Sequence, residues 1–376
     1  MKFSNYCILD ICNKITTGGT PKSTNKEFYE NGNIPWLNTK EINFNRIYHT
    51  DAFITKKGYD NSSAKWIDEN NIIIAMYGAT AGKIAINKIP LTTNQACCNL
   101  SINHKIADYR YVYYALVNKY KYLSSLANGG AQQNLNTNII KELEIELPKL
   151  PEQYKIGNLL SLFDDKIELN NKINKNLEEQ AKILFQKFFS PKSGIEGNIV
   201  TLDKYCNIFT GKKNSNDSIK NGKYKFFTCS PNPLLIDSYI YDGNAIIISG
   251  NGAYTGRTRF YSGKFDLYQR TYACTLQNNI DPNFIFPLYW FVKLELSKKI
   301  MGGTRGSAIP YIVFNDLAKF KFIYNKDIFS SYMPLFKNIT ETIQQNEFEN
   351  ELLSLILNTL LPKLIAGEID VTNINI

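Results

Sequence analysis

The sequence has little histidine, no cysteine framework and no long apolar run. Two His occur in 376 residues, His49 and His104, far apart and neither in a metal-ligand spacing. A histidine-built metal or acid–base site therefore has no local support. Seven Cys are present, an odd number with no CxxC pair. That argues against a disulfide framework or a zinc site and fits a reducing cytoplasm. No apolar stretch approaches the roughly 18 residues that span a bilayer. The stretch Met1–Lys14 turns polar too soon for a signal peptide. Nucleotide and catalytic motifs are missing as well. Gly78–Lys83 has three residues between its glycines and no Ser or Thr after Lys83, so it is not a P-loop. Gly250–Thr255 lacks the third glycine of a dinucleotide fingerprint. Pro231-Asn-Pro233 is not the Pro-Pro-aromatic loop of amino methyltransferases. Asp164 and Asp165 read as solvated flanks of a helix, and no Ser-His-Asp or Cys-His pattern stands out.

What is present is a globular composition, 44% hydrophobic and 20% charged, in a chain long enough for two or three domains. The net charge of +9 is Lys-rich and spread along the chain. It permits a polyanionic partner without demanding one.

The strongest signal is an internal repeat. Leu9–Gly18 matches Leu202–Gly211, Ile72–Gly82 matches Ile246–Gly256, Gly129-Gly130 matches Gly302-Gly303, and Leu143 matches Leu317. The first offset is 193 and the last three are 174, 173 and 174, so residues 18–72 form a longer insertion than 211–246. Within each copy, Ile72–Ala75 and Ala245–Ile248 read as buried strands running into Gly-rich loops, Met76–Lys83 and Ser249–Arg257. Helices are expected over Asp108–Leu126 and Phe284–Lys299.

Each copy ends in a heptad pattern. Ile156, Phe163, Asn170, Leu177 and Leu184 form one row, and Leu160, Ile167, Asn174, Ala181 and Phe188 the other. Adding 176 gives Tyr332, Ile339, Asn346, Leu353 and Leu360, with Phe336, Ile343, Asn350, Leu357 and Leu364. Both rows are apolar except at one level, where both copies carry two Asn. A buried Asn costs stability but fixes register. If the helices pack antiparallel, Asn170 and Asn174 meet Asn346 and Asn350. Ser330-Ser331 is expected to cap the second helix, with Pro334 in its first turn, and Pro362 to kink or end it. Some 35 residues at about 1.5 Å each make a rod of about 50 Å, enough to hold two globules apart. The boundaries are then 1–150 and 199–329 for two globular domains, 151–190 and 330–367 for two long helices, 191–198 for a linker and 368–376 for a tail.

Side chains suited to DNA sit in the loops. Arg257, Arg259, Arg270 and Arg305 could pair with guanine edges or phosphates, and Asn94, Gln95, Gln132, Gln133 and Asn134 could read adenine. Lys22, Lys83, Lys212 and Lys213 could meet phosphates, and Tyr254 lies among them. The second copy is Arg-rich where the first is amide-rich, so the two would read different bases.

These residues, in this order and doubled, resemble the specificity (S) subunit of type I restriction-modification enzymes. The features are the Thr-Gly-Gly-Thr-Pro loop within Leu9–Pro21, Gly32–Leu37, Tyr77–Lys83, Gly129–Leu135, Leu147–Gln153 and Leu361–Ile369. The second copy departs in lacking the Ile-Pro-Trp segment and the paired Gln after Gly302. The resemblance implies an α+β fold: two repeated mixed α/β target-recognition domains joined by two long antiparallel coiled-coil helices, with pseudo-twofold symmetry. It implies that each domain reads half of a bipartite site on double-stranded DNA and that the helices set the gap. It further implies two methyltransferase subunits, which bring S-adenosylmethionine, and motor-nuclease subunits, which bring ATP and Mg. The chain itself would catalyse nothing, bind no cofactor or metal and touch no membrane. Two other readings compete: a coiled-coil interaction scaffold with two ligand-binding domains and no DNA role, and a cryptic nuclease or methyltransferase.

Overall fold

A computed structural model describes residues 1–128, 135–190, 194, 196–302 and 311–374. The chain forms two compact units, Met1–Ile167 with Leu352–Ile376, and Glu168–Glu351. Each is mixed α and β.

Unit one contains β1 (Ser4–Cys7), β2 (Cys12–Thr17), β3 (Ile34–Leu37), β4 (Asn45–Ile47), β5 (Phe53–Ile54), β6 (Trp66–Ile67), β7 (Ile72–Ala75), β8 (Ile84–Asn87), β9 (Leu91–Thr93), β10 (Cys97–Ile102) and β11 (Glu144–Leu147). Its helices are α1 (Lys56–Asp60), α2 (Tyr109–Asn118), α3 (Tyr120–Asn128), α4 (Thr137–Glu142) and the start of α5 (Leu150–Phe188). A five-stranded sheet runs in the order β2-β10-β7-β8-β4 and a four-stranded one in the order β5-β3-β9-β6. The Ile run of β7 is explained by burial on both faces. Ile72 and Ile74 pack toward α2 and α5, while Ile73 and Ala75 pack under Leu37, Ile42, Ile47 and Ile67.

Unit two contains β12 (Asn198–Thr201), β13 (Cys206–Thr210), β14 (Tyr224–Phe227), β15 (Leu234–Ile236), β16 (Tyr241–Ser249), β17 (Thr258–Leu267), β18 (Thr271–Leu276) and β19 (Lys321–Tyr324), with α6 (Ile285–Gly302), α7 (Phe314–Ala318) and most of α8 (Lys326–Ile365). Its sheet order is β13-β18-β16-β17-β14-β15. The first half of β17 pairs with β16 as β8 pairs with β7. Its second half runs parallel to β14, with Phe227 against Leu267, as β9 runs parallel to β3, with Leu37 against Thr93. Thus β14 fills the place of the Ile-Pro-Trp strand, which the second copy keeps in geometry though not in sequence. The paired glycines Gly243 and Gly263, at φ +138° and +128°, let the β16–β17 hairpin bend, a conformation L side chains rarely adopt. Phe265 and Leu267 then pack on Ala245, Ile247 and Ala273. A folded-back hairpin covers the face that separate insertion elements cover in unit one.

Two repeat matches shift. Ile8, not Leu9, is the counterpart of Leu202: Ile8 N donates to Leu143 O and Leu202 N to Phe320 O, both at 3.0 Å. Ile8 and Leu202 are fully buried, whereas Leu9 is 55% exposed. The same bonds equate Leu143 with Phe320, and Leu317 then matches Ile140, one helical turn earlier. The expected helix over 108–126 is two helices, broken at Lys119 after an N-cap at Asp108. The second long helix starts at Lys326, where Asn325 Oδ1 accepts from Ile328 N at 3.1 Å. Ser330, Ser331 and Pro334 therefore lie inside it. The carbonyl that Pro334 leaves without a helical donor belongs to exposed Ser330, where water can reach. The helix passes Pro362 and ends before Gly367, whose φ of +73° supplies the stop.

Phe185 and Phe189, outside the two heptad rows, are 1% and 4% exposed. Phe185 meets Phe291, and Phe189 meets Phe329 and Phe336 edge-on. In unit two, the end of α5 thus reaches α6 through Phe185, and Phe189, just past it, adds to the seam against α8. In unit one, Gln153 is buried: its Oε1 accepts from Asp108 N at 3.0 Å and its Nε2 donates to Pro148 O at 2.9 Å. A Cβ on Gly157 would stand 2.6 Å from Asp108 Oδ1, so only glycine lets α5 approach α2 this closely. Asp164 and Asp165 are not merely solvated. Tyr114 Oη donates to Asp164 Oδ2 at 2.5 Å, and Arg46 pairs with Asp165.

Candidate nucleic-acid interface

In both units the same loop frame stands at the end of the sheet. Gly78 and Gly82, and their counterparts Gly252 and Gly256, all have φ between +80° and +83°. Their hydrogen bonds repeat one for one. Gly82 N donates to Ala75 O and Gly256 N to Ser249 O, both at 2.8 Å, and Lys83 N reaches Thr80 O as Arg257 N reaches Tyr254 O, at 2.9 and 3.0 Å. A Cβ on Gly18 would lie 1.8 Å from Thr93 O, and one on Gly211 1.7 Å from Leu267 O. A neighbouring turn is held to this loop in each copy, by Met76 N to Ala96 O at 2.8 Å and Gly250 N to Arg270 O at 2.9 Å.

On this frame the side chains differ. In unit one, Lys83 Nζ donates to Asn43 Oδ1 at 2.8 Å and is half-buried. Asn94 is a turn-former: its Oδ1 accepts from Ala96 N at 3.1 Å and from Cys97 Sγ at 3.2 Å. Its Oδ1 is therefore committed to its own turn, while its Nδ2 donates to Asn38 Oδ1 at 3.5 Å. Gln95 is exposed and accepts from Thr20 Oγ1. Lys22 is exposed on the loop after Gly19. In unit two, Lys213 pairs with Tyr268 and its carbonyl accepts from Gln269 N at 3.0 Å, while Lys212 is exposed. The Arg257 guanidinium stacks over Tyr254 at 4.0 Å. Arg259 donates to the carbonyls of Ser230, at 3.0 Å, and Pro231. Burial, followed by the nearby Arg257 charge, lowers the Arg259 pKa. Arg270 is exposed beside Gln269. Gln132, Gln133, Asn134 and Arg305 lie outside the described residues.

Two exposed residues on the frame were missed by sequence reasoning. Tyr77, 45% exposed, sits in the first Gly-rich loop, where only its position marked it. Gln269, whose Nε2 donates to Asn214 Oδ1 at 3.0 Å, matches Gln95 and could have been found by extending the 174-residue offset.

The Asn level lies within unit two. Asn170 is fully buried, and its Nδ2 donates to Asn350 Oδ1 at 2.9 Å and Glu349 Oε2 at 2.7 Å. Asn346 Nδ2 donates to Asn174 Oδ1 at 2.7 Å, and Asn350 Nδ2 to Asn171 Oδ1 at 3.0 Å. The pairs 170–350 and 174–346 make α5 and α8 antiparallel here, as does the stacking of Phe188 on Tyr332.

Among the described residues, no group of His, Cys, Asp and Glu is placed to hold a metal, and no helix is long and apolar enough to cross a membrane. Two mixed α/β units with the same loop frame define the class. The chain belongs to the family of the type I restriction modification DNA specificity domain, which matches residues 2–179 and 196–326. It is 26% identical to the type I restriction enzyme MjaIX specificity subunit of Methanocaldococcus jannaschii, covering 95% of this chain and 91% of that one. It is 36% identical to the EcoDI specificity subunit of Escherichia coli over 34% of this chain and 27% of that one. The crystal structure of the type I restriction-modification S subunit from M. genitalium shares the fold, with a TM-score of 0.68 at 19% identity over 97% of this chain and 96% of that one.

Proposed function

We propose that the chain is the non-catalytic specificity subunit of a type I restriction-modification assembly. Each recognition domain reads one half of a bipartite site on double-stranded DNA, and the paired helices set the spacer between the halves. The observation that carries this is the loop frame. Its glycines and hydrogen bonds are the same in both units, while the side chains on it differ: Thr80 against Tyr254, Lys83 against Arg257, Ala96 against Arg270. A fixed frame with exchanged side chains suits two readings of one kind of ligand. Exposed Arg and Lys suit a phosphate backbone, so affinity should fall with salt.

The helices carry exposed apolar side chains suited to partner subunits. In unit one these include Leu355, 63% exposed, with Leu352 and Ile356. In unit two they include Phe348, 62% exposed, with Leu169 and Ile173. In this reading two methyltransferase subunits dock there and carry S-adenosylmethionine. Motor-nuclease subunits join them with ATP and Mg, and the assembly works in the cytoplasm. Mapping adenine methylation in a host with and without this gene tests the proposal. Loss of one bipartite motif is expected on deletion, and an unchanged methylation map overturns it.

A further inference from the structure

The turn after β9 and the turn after β17 are the same object. Asn94 N donates to Leu37 O and Tyr268 N to Phe227 O, both at 3.0 Å. With the Ala96 and Arg270 carbonyls held alike, Asn94-Gln95-Ala96 corresponds residue for residue to Tyr268-Gln269-Arg270. The middle residue is an exposed Gln in both. The third differs most: Ala96 ends at a methyl, whereas Arg270 is exposed and its guanidinium has no partner among the described residues. The backbone beneath Arg270 is clamped, because its carbonyl accepts from Gly250 N at 2.9 Å and from Cys229 Sγ at 3.3 Å. A five-donor fork thus springs from a fixed point. Arg259 is committed to two carbonyls, Asn94 to its own turn and Asn38, and Arg257 to the face of Tyr254, while Gln95 and Gln269 each give only one amide atom to the protein.

We infer that this turn is the base-reading element of each copy, with Arg270 reading a guanine in the half-site of the second domain and Gln95 and Gln269 making a contact common to both halves. Arginine pairs bidentately with guanine O6 and N7, whereas alanine offers only apolar contact with a thymine methyl. Each Gln already gives one amide atom to the protein, Gln95 Oε1 to Thr20 and Gln269 Nε2 to Asn214, so its contact holds the DNA without specifying a base. The inference rests on the DNA-reading role proposed above and assigns it to residues.

The test uses the complete methyltransferase assembly and maps methylated motifs for the unaltered chain, Arg270→Ala, Arg270→Lys, Ala96→Arg and Gln269→Ala. Arg270→Ala is expected to relax one G·C position in one half-site, losing roughly 10- to 100-fold discrimination there, with the other half unchanged. Arg270→Lys keeps the charge and should relax the same position while holding salt-sensitive affinity. Ala96→Arg should alter only the other half. Gln269→Ala should weaken methylation through the second half without changing the sequence read. Arg270 is exposed, so these variants should fold, and a melting curve checks that. A motif unchanged in folded Arg270→Ala and Arg270→Lys overturns the assignment while leaving the DNA-reading role intact. Absence of any bipartite motif with the unaltered chain overturns that role itself.

Discussion

Replacing Asn170 by Leu should stabilise unit two while loosening its register. Asn170 is fully buried, and its Oδ1 has no hydrogen-bond partner among the described residues. Removing a buried unsatisfied acceptor returns about 1–3 kcal/mol. Burying a leucine side chain adds about 1.5–3 kcal/mol. Against this stand two lost hydrogen bonds, to Asn350 and to the Glu349 carboxylate, worth about 1 and about 2 kcal/mol. Both acceptors are half-exposed, so water can take over part of that role. The midpoints, about 4 against about 3 kcal/mol, leave a gain of about 1 kcal/mol, which rehydration of the two acceptors raises to about 1–2 kcal/mol. Unit two spans 184 residues, 351 − 168 + 1, and a domain of that size moves by about 2–4 °C per kcal/mol. A rise of about 2–8 °C in its melting transition is expected by calorimetry on the full chain. The reasoning fails if the transition falls. Register is read separately, by oxidising a Leu177→Cys/Ile343→Cys pair. The native pairing should dominate with all four Asn present. The yield of that disulfide should fall when Asn170→Leu and Asn174→Leu are combined, because a slip of one heptad carries the two cysteines apart. Unchanged cross-linking in that variant would mean that the flanking apolar layers alone hold the register.

Three further outcomes follow from single sites. Gly78→Ala, at φ +82° but in open space, should cost about 1–2 kcal/mol, whereas Gly18→Ala drives a Cβ to 1.8 Å from Thr93 O and should cost at least about 3 kcal/mol; equal urea midpoints would refute the steric argument. Gln153→Ala leaves Asp108 N–H and Pro148 C=O buried without their partner, so unit one should lose about 2–5 kcal/mol in a denaturant melt. Burial pushes the Cys98 and Cys206 thiols up to about 12, so they stay neutral until the pH nears that value. At pH 8 their thiolate fraction is about one part in ten thousand, and alkylation followed by mass spectrometry should find them unmodified until the chain unfolds.

The repeat, the buried Ile strands and the paired Asn were legible in the sequence because each is a local pattern. Period-two burial on both faces gives an unbroken Ile run, and glycine at positive φ recurs at a fixed offset. The shift from Leu9 to Ile8 was not legible, because both are apolar and only the bond to Leu143 O decides between them. Nor was β14 recognisable as the match of Ile34–Leu37. A strand position is defined by its pairing, and Tyr224-Lys-Phe-Phe meets that requirement with different residues. For the loops, sequence supplied residue types but not their engagements. Asn94 and Arg259 look free in a string of letters, yet in the fold Asn94 holds its own turn and Arg259 holds the Ser230–Pro231 loop.

The bent hairpin at Gly243 and Gly263 makes the two halves mechanically unlike. In unit two the strands that carry the Gly250 loop continue without interruption into the cover over the sheet, so loop and cover form one lever. In unit one the Gly78 loop joins β7 and β8, while the cover comes from β3 and β6. Load applied to the second loop should therefore reach Phe265 and Leu267 through continuous backbone, and load on the first should stop at its own strands. Amide exchange on DNA engagement would register this as protection spreading to Tyr261–Leu267 in one half, with no matching spread to Ile34–Ile67 in the other.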